Sequence, residues 1–338
     1  MLKFKLLTLF AVLISFANLA HSAEVNIYSH RQPFLINPFL EAFSNKTGIK
    51  TNVVYSTKGL AQRLKAEGKN SPADLILTVD IGRLHIYQDM GLLASISSIK
   101  LDKNIPSHLK SIDNTWFGLS KRARIIVTSK ERVPVGSIKN IEDLTDPRWK
   151  KRICSRPGSH VYNRALLASV IAEHGLDEAE NWARGLVSNL ARRPQGNDRA
   201  QVKAIYYGQC DIAIINNYYF GKLKYSKDPD QRAWAKSLNL VFPNQAKNER
   251  GAHVNISGGG VAKYSKNKVE AIALLEFLTD ATAQKLYGEI NFEYPVNPSI
   301  KTTDELKSWG SFKEDKLPID RIAKLSGEAQ KIIDRVGW

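Results

Sequence analysis

Tyr218 and Tyr219 stand side by side just after the apolar run Cys210–Asn216 (CDIAIIN), and Tyr162 follows the loop after a shorter run carrying Cys154. Tyr162 and Tyr218 each lie eight residues past a cysteine, and Cys154 and Cys210 are the only cysteines in the chain. If these cysteines pair, the bridge joins the two strands whose downstream loops present the rings, and three phenols converge at one mouth. A phenol has an unperturbed pKa of about 10 and is neutral at neutral pH. Only a strong adjacent positive charge ionises several together. A trivalent hard cation does so, and releases protons as it binds. Three phenolates balance the charge of ferric iron but leave an octahedral shell incomplete, so an exogenous anion or water must complete it. Arg31, Arg122 and Arg124 are candidates to hold that anion, because a guanidinium pairs planar oxyanions through two parallel hydrogen bonds. The plainer reading of adjacent aromatic residues is packing, and Tyr206-Tyr207 is read that way, as helix packing.

Other chemistries find little support. The chain has no GxSxG, Walker A, GxGxxG or HExxH pattern. The run Gly258-Gly259-Gly260 lacks the Lys and Ser/Thr of a phosphate loop and reads as a tight bend or a close backbone approach. The seven histidines are scattered without paired metal spacing. His160 and His253 fall in predicted loops, where the ordinary reading is a surface or packing role.

The 338 residues carry 49 Lys+Arg against 33 Asp+Glu, a formal charge of +16, with 43% apolar residues. The length suggests two domains, and the apolar content argues against disorder. The charge admits nucleic acid, an anionic surface or a small anionic ligand. Local Lys/Arg runs interleaved with aromatics, which nucleic-acid binding calls for, are missing. At the start, Lys3 and Lys5 precede an apolar stretch, Leu6 to Phe16, and then Ala20-His21-Ser22-Ala23. That is the layout of a cleaved secretory signal over 1–23, with an uncleaved anchor as the alternative. Cleavage removes Lys3 and Lys5 and lowers +16 to +14, so the charge belongs to the mature protein. Export places Cys154 and Cys210 in an oxidising space. One intramolecular disulfide is then available, worth about 3–4 kcal/mol in the chain-entropy model. Two buried free thiols are the alternative.

The elements that must position these residues alternate. Glu24 to Tyr28 reads as a strand, and Asn37 as the cap of a helix with Pro38 in its first turn, stopped by Gly48. Thr51 to Tyr55 is a second strand, Leu60 to Glu67 a helix, and Asp74 to Val79 a nearly continuous apolar strand, as in a covered parallel sheet. A second set follows: strands at Arg124 to Ser129, Lys151 to Ser155 and Cys210 to Asn216, with helices at Tyr162 to His174, Leu176 to Leu190 and from an Asp198 cap to Tyr207. Gly251 to Ala262 holds a further strand and Val269 to Leu278 a helix. Two α/β lobes without a flexible linker predict a ligand cleft between them.

Seven segments resemble one family: IYSHRQPFLINPFLEAFSNKTGI (Ile27 to Ile49), SPADLILTVDIGRL (Ser71 to Leu84), WFGLSKRARIIVTSK (Trp116 to Lys130), NLARRPQGNDRAQVKAI (Asn189 to Ile205), NNYYFGK (Asn216 to Lys222), NISGGGVAK (Asn255 to Lys263) and EYPV (Glu293 to Val296). They look like the periplasmic ferric-ion-binding proteins of bacterial ABC iron importers. The resemblance implies an α/β type II periplasmic-binding-protein fold, two lobes joined by two crossover strands. It places 24–120 and 246–297 in the N-terminal lobe, and 121–245 and 298–338 in the C-terminal lobe. It implies Fe(III) held by Tyr162, Tyr218 and Tyr219, with Arg122 beside the site. Many relatives have a His-Tyr pair after the first strand, whose tyrosine is a further ligand; this chain has Arg31-Gln32-Pro33 there. It therefore resembles the three-tyrosine subgroup, in which carbonate, bicarbonate or water completes the shell, and Arg31 and Gln32 are expected near that anion. Asn197, in the PQGNDR loop, is either near the site or simply a helix-start residue. The expected protein is a periplasmic monomer, not an enzyme, that delivers iron to permease and ATPase subunits at the inner membrane and binds no nucleic acid. The main rival is a binding protein of the same fold for a polyamine or thiamine-like ligand. A polyamine site needs carboxylates facing an aromatic box, and the cleft motifs here are basic.

Overall fold

A computed structural model describes residues 23–338; the predicted signal peptide, apart from Ala23, lies outside them. The strands are Glu24–Ser29 (β1), Lys50–Tyr55 (β2), Leu75–Thr78 (β3), Phe117–Ser129 (β4), Ile153–Cys154 (β5), Ile212–Asn216 (β6), Leu238–Val241 (β7), Val254–Val261 (β8) and Tyr294–Pro295 (β9). They hydrogen-bond in the order β2-β1-β3-β8-β4-β6-β5, with β7 and β9 also on β4. The β1–β2, β1–β3 and β5–β6 pairs are parallel, as the helical crossovers between them require.

Two strands connect the halves. β4 pairs with β8 from Phe117 to Ala123 and with β6 from Arg124 to Thr128, changing partner between those stretches. β8 pairs with β4 over Val254–Gly259 and with β3 over Gly258–Val261. All of β4 except Lys121 is buried, and its apolar centre Ile125–Val127 is fully so. The result is the type II periplasmic-binding-protein fold, with β4 and β8 as the crossover strands.

The three glycines are a close approach rather than a bend. They lie inside β8, and a Cβ on Gly258 or Gly259 would sit 2.7 Å from the Phe117 carbonyl oxygen or 2.8 Å from that of Ile76. Neighbouring backbones on both sides exclude any side chain there.

Two predicted helix starts move. The first helix runs Pro33–Thr47, with Gln32 as its cap, Pro33 in its first turn and Pro38 inside it. Pro33 has the fixed φ that suits a first helical position, while Pro38 costs the helix its own N–H bond and does not break it. The helix Asp198–Tyr206 is capped by Asn197, whose side chain accepts from the Ala200 N–H at 3.0 Å; Asp198 is freed to turn inward. That helix buries Val202 and Ile205. One residue is a turn of about 100°, so Tyr206 and Tyr207 face outward, 42% and 57% exposed. They are not packing residues.

Cys154 and Cys210 are joined, with Cα atoms 5.8 Å apart. The bridge fastens β5 to the chain entering β6, within an apolar cluster that includes Ile125, Val127, Val202 and Ile215.

Candidate functional site

Tyr162 sits in the first turn of the helix Val161–His174, capped by His160, whose Nδ1 accepts from the Tyr162 N–H at 3.3 Å. Tyr218 and Tyr219 occupy the first turn of the helix Asn217–Lys224, which follows β6 without a loop. Their rings lie 4.4 Å apart, and the Tyr162 and Tyr218 hydroxyls are 3.2 Å apart. The parallel β5–β6 pairing sets the two helix starts side by side, and the disulfide links β5 to the chain just before β6. All three phenols line one cavity of about 320 Å³, together with Arg31, Gln32, Arg122, Arg156, Arg199 and Glu293. A larger cavity of about 460 Å³, behind β4 and β9 at Lys121 and Phe312, contains none of the tyrosines singled out above.

The predicted arginines part ways. Arg122 is buried; its Nη2 donates to the Val79 carbonyl and lies 3.6 Å from Asp80, while Nη1 has no partner among the described residues. A buried donor left unpaired is costly, and this one belongs to a residue that lines the cavity. Arg31 also lines the cavity, but Nη1 donates to Ser257 Oγ at 2.5 Å and Nη2 to Glu293 at 2.8 Å. Gln32 is exposed at the rim, and its side chain makes no cap bond. Arg124 is turned away to Asp198, Asn216 and Asn163 and is not a cavity residue.

Sequence reasoning missed the residues behind the tyrosines. Asp198 is fully buried and accepts from Arg124 Nη1 at 2.8 Å, Arg156 Nη1 at 2.9 Å and the Asn216 N–H at 2.9 Å. The guanidinium carbons of Arg122, Arg124 and Arg156 lie 5.4, 5.9 and 5.1 Å from the Tyr162 ring centroid. Asp198 was legible as a helix-start residue, but its partners Arg124 and Arg156 are 74 and 42 residues away in sequence, and no local pattern signals such a pairing.

Burial and the neighbouring phenols raise Tyr218 well above the usual phenol range, and burial raises Tyr219 to about 12. Both are neutral in the free protein. His160 is pushed down to about 3 and His30 to about 4, mainly by burial, so neither adds positive charge near neutral pH. His30 hydrogen-bonds the Ser56 carbonyl at 2.7 Å and the Tyr87 hydroxyl at 2.9 Å. His253 is buried with both ring nitrogens unpartnered among the described residues, and it does not line the cavity.

Comparison with known proteins agrees with this architecture. Residues 70–313 match the family model described as bacterial extracellular solute-binding protein. Iron uptake protein A1 of Synechocystis is 40% identical over 316 residues, 93% of this chain and 87% of that one. The Trichodesmium protein IdiA (FutA), solved in complex with iron and citrate, is 45% identical, with a TM-score of 0.89 over 94% of this chain and all of that one. Ferric iron-binding protein A of Mannheimia haemolytica, in an open conformation, is 44% identical, with a TM-score of 0.87 over 93% of this chain and 98% of that one. This chain belongs to the bacterial extracellular solute-binding protein family.

Proposed function

We propose that this protein is a periplasmic carrier that captures ferric iron and delivers it to the permease and ATPase subunits of an ABC importer. The observation that carries the reading is the Tyr162–Tyr218 hydroxyl contact of 3.2 Å, with the Tyr219 ring 4.4 Å from that of Tyr218. The neutral phenols of Tyr218 and Tyr219 suit weak cations poorly, because each must lose a proton that burial helps it hold. A trivalent cation meets that cost through its charge, and three phenolates then cancel it.

The rest of the cavity suits an anion. Arg122 presents an unclaimed Nη1, and carbonate or bicarbonate offers it a planar pair of oxygens. Gln32 and Arg31 approach from the first strand's side and help seat that anion, with water filling any remaining position. Among the described residues, the one carboxylate lining the cavity, Glu293, is engaged by Arg31, which counts against a polyamine. The lobes are taken as 24–120 with 246–297 and 121–245 with 298–338, closing about β4 and β8. The carrier acts as a monomer without enzymatic activity, and 1–23 directs export and is removed. The iron-uptake name of the Synechocystis relative and the iron and citrate in the Trichodesmium structure support the cargo.

The test is direct. Addition of Fe(III) with bicarbonate should produce a visible phenolate-to-iron charge-transfer band. Tyr218→Phe and Tyr162→Phe should each shift or abolish it. A colourless wild-type protein, or a band indifferent to both substitutions, overturns the reading.

A further inference from the structure

We propose that the surface around Tyr206 and Tyr207 docks the protein on an anionic lipid membrane. The iron site uses neither tyrosine. They form an exposed ridge, with ring centroids 5.2 Å apart at a nearly perpendicular tilt. Each ring walls a separate shallow cavity. Tyr206 borders one of about 370 Å³ with Lys130 and Lys236, and Tyr207 borders one of about 310 Å³ with Arg192 and Lys203.

Arg132, which also lines the Tyr206 cavity, is paired with Asp211, but Lys130, Lys236, Arg192 and Lys203 make no ion pair with a carboxylate among the described residues. Lys130 Nζ donates to the Lys236 carbonyl at 2.8 Å, and Arg192 to the side chains of Gln209 at 2.6 Å and Gln201 at 3.3 Å. The Lys203 ammonium lies 5.9 Å from the Tyr207 ring centroid and 5.5 Å from that of Trp234. Among the described residues, Glu131 is the one acid lining either cavity. This local excess sits within a chain of formal charge +16.

Rings with an apolar body and a hydroxyl tip favour the headgroup level of a bilayer, and lysines and arginines beside them meet phosphate oxygens there. A ridge with a cationic hollow on each flank meets a broad anionic plane on both sides at once. An acidic peptide would occupy one flank. The placement also leaves the cleft free. The helix Asp198–Tyr206 starts at the iron cavity, which Asn197 and Arg199 line, and ends at the ridge, about 13 Å away along its axis. Docking would hold the carrier in the plane of its permease without covering the cleft, and it does not depend on the iron reading.

The experiment is flotation of the full mature chain with phosphatidylcholine vesicles, with and without about 30% phosphatidylglycerol, at low and high salt. The wild type should float with the anionic vesicles at low salt, and binding should fall at least about tenfold at high salt. The paired variants Tyr206→Ser/Tyr207→Ser and Lys203→Glu/Lys236→Glu should each lose about tenfold at low salt with unchanged thermal unfolding. No flotation of the wild type, equal binding to neutral vesicles, or undiminished binding of both variants overturns the proposal. Equal capture on polyglutamate, lost in the same variants, would assign the surface to an acidic protein partner and overturn it too.

Discussion

Asp198 and Arg156 form an ion pair of 2.9 Å in which the carboxylate has no exposed surface. The same carboxylate holds Arg124 at 2.8 Å and the N–H of Asn216, the last residue of β6, at 2.9 Å. One side chain thus ties together β4, the loop before Tyr162 and the strand end before Tyr218 and Tyr219. Asp198→Asn would leave two guanidinium groups uncompensated beside the phenols. Breaking one partner of a buried pair costs about 3–5 kcal/mol. We expect a stability loss of that size in urea, with iron affinity down at least about tenfold through the added positive charge and the loosened Tyr162. An Asp198→Asn protein with wild-type urea midpoint and iron affinity would contradict the assignment.

The phenols also set the direction of iron's pH dependence. Tyr218 is held well above its ordinary range and Tyr219 at about 12, so both carry protons throughout the neutral range and must release them on binding. Lower pH therefore opposes binding, and each proton released weakens affinity about tenfold per pH unit. Competition titrations of Fe(III) between mildly acidic and neutral pH should show affinity falling by more than tenfold per unit. A flat profile would mean that the phenols do not ionise on binding.

The sequence reading was strongest where pattern is local. Strand and helix alternation, Gly48 as a helix end, and the helix start that carries Tyr162 follow from residues within a turn or two. Tyr218 and Tyr219 read as loop residues after a strand, whereas they begin the helix Asn217–Lys224 directly at the strand's end. The pairing of the only two cysteines was legible too. It was weakest where meaning depends on distant partners. Arg31, Arg122 and Arg124 look alike in sequence. Glu293, 262 residues from Arg31, engages one; Asp198 engages another; and of the two that line the cavity, Arg31 and Arg122, it is Arg122 whose Nη1 has no partner among the described residues. Tyr206-Tyr207 and Tyr218-Tyr219 are likewise the same dipeptide. One pair ends a helix facing solvent, while the other begins a helix facing the cleft. The direction of the helix decides the role, and that is a property of the fold.

His30 predicts an acid sensitivity separate from iron. Its folded pKa is lowered from 6.5 to about 4 because the ring is buried and neutral between Ser56 and Tyr87, with Arg83 adding to the effect. A depressed histidine contributes stability that is complete above its unfolded pKa and is lost as pH falls through the unfolded value toward the folded one. Unfolding free energy of the iron-free protein should therefore decline between about pH 6.5 and 4, by at most about 3 kcal/mol from this group. His30→Gln should lower stability at neutral pH and flatten that decline. If the variant shows the same slope as the wild type, the acid loss arises elsewhere.

The disulfide makes a last, independent demand on the site. Cys154 and Cys210 close a loop across 56 residues, and that loop contains Tyr162, Arg156 and Asp198. Replacing both with serine should cost about 4 kcal/mol through the freed unfolded chain, so the urea midpoint should fall while cooperativity remains. The native contacts that align the helix starts, including β5–β6 pairing and the Asp198 bonds, do not require the bridge. Iron affinity of the folded double variant should therefore change by less than about tenfold, a far smaller effect than Asp198→Asn produces. A double variant that folds but no longer gives the charge-transfer band would show that the bridge, and not the buried carboxylate, aligns the tyrosines.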